Sequence, residues 1–476
     1  MRKLLQRFSA LADNHPLGIA VGILSLYVAA RVLVFLRFPI LTTQDTWAFV
    51  APDDDLREIL ESKSTRPGFI YQVLLRIWPL AEKSVFTNES GISVFLYEGT
   101  PTVAVVTFIL SVAAWVMLAA TLASQGRATN LSKNLVLLAG LSISLLPAVW
   151  IWDHIVVADG LSISLTAAWL AATFIGLRFG RHQLFAVFFS LILMFLSFGV
   201  RPSNASVMLV VSLCMLVAAV PSVTRVFSAL VGWVFAAAFW AWIAIRTFEI
   251  SDRWTTIWGG VVSANRSTSF LVLPGFVRDF NLRSSKPVCP DAIEFSVGRW
   301  QADDLGSWGG VTQFSEQQAL AQSCVGDWDT LGQNGAAIDE VLLSPQIQVD
   351  WWWLIFPEVL NPLPGPELLR AISFPAWLEM LNTLGIGLGF ISLLIWFLVG
   401  LALGSSSLSK TRAAKLFWAA LLVAGNLAGV WVLSSLDGGA ADRHGAPYNV
   451  LLPVSLVYLG SLISGIRRRK SSHTEP

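Results

Sequence analysis

The sequence predicts an all-α polytopic membrane protein, with about ten transmembrane helices, juxtamembrane helices in the first outer loop and an inserted extracytoplasmic segment before the eighth span. Three observations carry this. The 476 residues are 55% hydrophobic and only 13% charged, with mean hydropathy +0.64, too apolar for an ordinary water-soluble globule. Ten stretches approach the ~20 apolar residues that a helix needs to cross a bilayer with its backbone satisfied internally. Lysine and arginine recur at every second connection between those stretches. With 32 Lys+Arg against 31 Asp+Glu the net charge is +1, so no basic footprint argues for DNA or RNA, and nucleic acid is excluded as a partner.

In chain order the stretches lie near 17–36, 101–123, 134–152, 158–177, 183–200, 204–221, 226–246, 378–403, 413–434 and 447–466. The first follows Arg2, Lys3 and Arg7 and is too long for a signal-peptide core, so it reads as a retained anchor. Between the first two, Asp55-Leu56-Arg57-Glu58 resembles a capping box opening an amphipathic helix at 56–63, and Ile70–Leu80 is a second amphipathic stretch. Two such helices would lie along the membrane surface and roof the bundle. Gly385, Gly387 and Gly389 imitate a dinucleotide fingerprint but sit inside an apolar helix without a preceding strand, where close helix packing explains them.

Arg127 and Lys133, Arg178 and Arg181, Arg225, then Lys410, Arg412 and Lys415, and finally Arg467 to Lys470 share one side with the N-terminal cations. Both termini are therefore expected in the cytoplasm. The chain divides into an N-terminal membrane module, 1–246, with its outer loop 37–100; an extracytoplasmic insertion, 247–377; C-terminal membrane helices, 378–466; and a basic cytoplasmic tail, 467–476. Cys289 and Cys324 share the insertion and can form a disulfide if that face is oxidising, while Cys214 lies in an apolar run. Trp351-Trp352-Trp353 reads as an interfacial aromatic belt.

The polar residues that the spans do not need gather on the outer side. Asp45, in Thr42-Thr43-Gln44-Asp45-Thr46-Trp47, follows the first span directly, where a general base for a membrane-borne substrate would stand; simple hydration of a loop carboxylate is the plainer alternative. Arg66 precedes the second amphipathic stretch. Asp153 and His154 end the third span, and Asp159 opens the fourth, where an N-terminal carboxylate also suits the helix dipole. Carboxylates with an imidazole can hold a divalent cation such as Mg or Mn, and Asp153 with Asp159 are the candidates. Arg201 closes the fifth span, and Arg443 with His444 opens the tenth. Arginine suits bidentate phosphate binding, although a snorkelling side chain is the plainer account of each. Inside the spans charge is nearly absent, and Arg31, near the outer end of the first, is the clearest exception.

The order of these motifs resembles the GT-C superfamily of polytopic glycosyltransferases, which use polyprenyl-phosphate sugars as donors. Gln44-Asp45-Thr46 is similar to the family's first-loop carboxylate. Thr65-Arg66-Pro67-Gly68-Phe69-Ile70-Tyr71 is similar to its Arg-Pro-Pro-Gly-Tyr-Pro stretch, with one proline missing. Ala158-Asp159-Gly160-Leu161-Ser162, Arg201-Pro202-Ser203-Asn204 and Asp442-Arg443-His444 with Pro447 resemble its later motifs. The segment 247–377 has no counterpart in the resemblance. What the resemblance implies is an inverting transfer to an acceptor hydroxyl on a glycan, lipid or protein, with Asp45 as base. Arg201, Arg443 and His444 would stand on the phosphate side, and Arg66, Asp153, His154 and Asp159 beside the substrate or a bridging metal. A transporter or flippase of a lipid-linked saccharide is the alternative. It would favour ionisable groups and broken helices near the midplane.

Overall fold

The computed structural model describes residues 14–42, 46, 69–80, 86–87, 93–96, 101–124, 130–178, 183–200, 344–349 and 373–385. These residues are 85% helical. The main helices are α1 (Pro16–Arg37), α2 (Phe69–Ile77), α3 (Thr102–Ser124), α4 (Asn130–Ile143), the short α5 (Pro147–Trp150) continued by a 3-10 turn (Ile151–Asp153), α6 (Ala158–Arg178) and α7 (Gln183–Val200). Three of them, α1, α3 and α6 over Ala158–Ile175, are long and apolar enough to cross a membrane. A fourth span results if α4 and Pro147–Asp153, which meet at a bend of 58°, are one broken crossing. The expected spans at 204–221, 226–246, 413–434 and 447–466 lie outside the described residues, as do the amphipathic helix at 56–63 and the part of 378–403 beyond 385.

The helices differ in how much of themselves they bury. In α1 17% of the apolar window is buried, in α3 50% and in α6 83%, so α6 is the centre of the described bundle and α1 its margin. Leu17, Leu26, Leu33 and Leu36 on α1 stay exposed, which suits a face turned to lipid. α1 and α3 run antiparallel, with Phe35 stacked on Phe108 and Arg31 bonded to Ser111. Where α3 meets α4 the backbones come close: a Cβ on Gly140 would lie 2.9 Å from the Ala119 Cβ. Small residues allow such approaches in membranes, where packing rather than water exclusion drives association. Gly385 is a second case, since its Cβ would lie 2.9 Å from Leu146 Cδ2 at the bend.

The connection between α1 and α3 departs from the all-α expectation. β1 (Leu41–Thr42), β2 (Phe86–Thr87) and β3 (Ser93–Leu96) form a three-stranded sheet in the order β1-β3-β2, with Leu41 opposite Leu96 and Phe86 opposite Val94. Strands of two to four residues leave almost no period to read, although the Asn88-Glu89-Ser90-Gly91 run between β2 and β3 is ordinary turn composition. α2 matches the expected amphipathic stretch at 70–80. Its Tyr71 and Leu75 are buried in one cluster with Phe35, Ile40, Val103, Phe108, Leu161 and Val200, so it roofs the ends of α1, α3, α6 and α7. Burial pushes the Tyr71 phenol above its ordinary pKa.

Candidate functional site

The turn between α5 and α6 joins two of the sequence motifs. The Leu41 N–H donates to the His154 carbonyl at 2.7 Å and the Val156 N–H to the Leu41 carbonyl at 2.9 Å, a parallel bridge centred on Leu41 and Ile155. Thr46, fully buried, donates its hydroxyl to the Val156 carbonyl at 2.6 Å. The chain leaving the first span is thus fastened to turn 153–157 on both sides of Thr43-Gln44-Asp45. Asp45 itself lies outside the described residues.

Asp153 and His154 are each held by the protein. The Asp153 carboxylate is ion-paired with Arg31 Nη2, and both side chains are buried. The same guanidinium donates through Nη1 to the Ser144 carbonyl at 2.5 Å and through Nη2 to Ser111 Oγ at 3.0 Å, and stands 5.8 Å from the Phe108 ring centroid. Ser144 Oγ in turn bonds the Tyr27 hydroxyl and the Leu141 carbonyl, each at 2.8 Å. His154 has its ring 5.4 Å from those of Phe35 and Trp150, with Nδ1 3.0 Å from the Trp150 carbonyl and Nε2 3.3 Å from that of Val34. These two residues bind neighbouring helices rather than present themselves at the rim.

Asp159 is fully buried in the first turn of α6. It follows Ala158 and precedes Gly160, where a Cβ would stand 2.5 Å from the Trp152 carbonyl oxygen. Glycine is therefore required for α6 to start against the turn. Ser162 near the start of α6 and Ser197 near the end of α7 are buried, and neither hydroxyl has a hydrogen-bond partner among the described residues. Ser162 closes the Ala158-Asp159-Gly160-Leu161-Ser162 motif, whereas nothing in the sequence marks Ser197, because a chain does not separate a core serine from one at a site.

Asp153, expected as a metal candidate, is engaged in an ion pair in this structure. Its charge is answered by a guanidinium that a divalent cation would have to face at close range. Among the described residues no group of three or more His, Cys, Asp or Glu side chains could hold a metal ion. Arg66, Arg201, Arg443 and His444 lie outside the described residues, as do Cys289, Cys324 and the Trp351 triplet. Comparison with family models, with curated proteins and with solved structures finds no match to this chain.

Proposed function

We propose that this chain is a ten-span glycosyltransferase of GT-C type, with both termini cytoplasmic, that transfers a sugar from a polyprenyl-phosphate donor to an acceptor hydroxyl on the extracytoplasmic face. The acceptor oxygen bonds to the anomeric carbon as the bond from that carbon to the lipid phosphate oxygen breaks on the opposite side, which inverts the configuration. Asp45 takes the acceptor proton, and Arg201, Arg443 and His444 meet the charge developing on the leaving phosphate, with Arg66 and Asp159 on the substrate side. The observation that carries the reading is the fastening of residues 41 and 46 to turn 153–157, which joins the segment around Asp45 to the start of the Asp159 helix. Leu41 and Thr46, which flank Thr43-Gln44-Asp45 in the sequence, lie against the turn that precedes Asp159, which supports a shared site.

A transporter or flippase of a lipid-linked saccharide is the second reading. What favours it is the bent pair α4 and Pro147–Asp153 with the ion pair of Arg31 and Asp153 buried beside it, a combination that transporters use. Arg31 stands six residues before the end of α1, about 9 Å along the axis from that end and about 7 Å from the helix middle, so its depth does not count against this reading. Purified protein supplied with a labelled polyprenyl-phosphate sugar and candidate acceptors separates the two. Transfer that falls by about 10²-fold or more in Asp45→Asn, with donor binding retained, is the expected result. Movement of the intact lipid-linked sugar across sealed vesicles without transfer would establish the second reading instead.

A further inference from the structure

An uninterrupted helix would bond the Ala148 N–H to the Ser144 carbonyl four residues earlier. At the bend after α4 neither group has the other. Pro147 has no N–H to continue the ladder, and the chain tightens to bonds three residues apart: Leu145 N–H to the Ser142 carbonyl at 3.1 Å and Leu146 N–H to the Ile143 carbonyl at 3.0 Å. The two separated groups are then taken up by side chains from different parts of the chain. Arg31 Nη1 donates to the Ser144 carbonyl at 2.5 Å, and the Ala148 N–H donates to Asn382 Oδ1 at 2.9 Å. Asn382 is fully buried in the helix at 376–385, which reaches the bend again through Gly385 against Leu146, while Phe374 just before that helix has its ring 5.8 Å from that of Trp150.

We infer that Arg31 and Asn382 form a two-sided joint that fixes this bend and thereby positions turn 153–157 and the Leu41 and Thr46 contacts fastened to it. Arg31 holds both ends of the bent piece with one planar group, the Ser144 carbonyl before it and the Asp153 carboxylate after it. That geometry is what a rigid fork supplies and a point charge does not. Backbone groups at membrane depth must find partners within the protein, so two dedicated side chains at one interrupted bond mark a conformation that the fold specifies. Both are positioning residues. Their bearing on transfer rests on the reading of Asp45 as the base, whereas the joint itself does not.

Hydrogen exchange of the purified full-length protein, read by mass spectrometry, tests the joint through the Leu41 and Val156 amides. The variants are Asn382→Leu and the double variant Arg31→Met with Asp153→Leu, which removes both charges together and so leaves none buried alone. Exchange at those two amides at least about tenfold faster in each variant, with amides of Thr102–Ser124 unchanged, is expected. Unaltered protection at Leu41 and Val156 in the double variant would overturn the inference, because the pair would then only neutralise charge. Loss of protection throughout Thr102–Ser124 as well would also overturn it, since the groups would hold the bundle and not the joint. No sugar transfer enters the measurement, so its failure is distinct from failure of the transferase reading.

Discussion

Gly160 shows how much one residue can decide at the rim. A methyl group there would meet backbone, not a yielding side chain: 2.5 Å to the Trp152 oxygen and 3.0 Å to the Trp152 carbonyl carbon. Gly160→Ala must therefore displace either the start of α6 or turn 153–157. We expect about 1–3 kcal/mol of lost stability, the usual scale of overpacking, read as an earlier unfolding midpoint in detergent. An unchanged midpoint would mean that the turn yields freely. The residues around it were unequally legible. Asp153, His154, Asp159 and Arg31 all stand out in the sequence, because ionisable groups near apolar stretches are costly. That Asp153 and Arg31 answer each other across 122 positions is a property of the packed bundle and has no local trace. Nor does a sequence show that the His154 ring sits between the carbonyls of Val34 and Trp150.

At the scale of elements, the apolar stretches are read well because hydropathy and helix length are the same constraint in a bilayer. The expected limits 17–36, 101–123 and 158–177 fall within two residues of α1, α3 and α6. The bend inside 134–152 escaped that reading, since a hydropathy window does not register a proline, and membrane helices accept proline where neighbours complete the backbone. The cause is nonetheless not proline alone. Pro147→Ala restores an N–H, yet the Ile143 carbonyl already accepts from Leu146, and Arg31 and Asn382 still hold the two separated groups. The bend should accordingly persist in Pro147→Ala. Paired spin labels at the exposed positions Leu135 on α4 and Met380 on the 376–385 helix, measured by pulsed electron resonance, should give the wild-type distance. A large shift would assign the bend to the proline.

For the whole molecule, the buried centre at α6 and the lipid-suited face of α1 fit a bundle closed on one side by α2 and the small sheet. Which membrane face that roof occupies depends on charge that the helices themselves do not carry. Short connections retain lysine and arginine on the cytoplasmic side, and the cations at 127 and 133, 178 and 181, 225, and 410 to 415 alternate with connections poor in them. If the bias acts on this chain, the roof, the 41–46 segment and 247–377 are extracytoplasmic. A version with Cys214, Cys289 and Cys324 replaced by serine gives a clean background for single cysteines at Ala128, Gly310 and Leu408. In intact cells a thiol reagent that cannot cross the membrane should label the cysteine at 310 and spare those at 128 and 408, which should react only after permeabilisation. The reverse pattern would turn the molecule over and set the fastened rim against the cytoplasm. A transferase drawing on an extracytoplasmic acceptor could not work from there, so this labelling decides the sidedness on which the proposed chemistry depends.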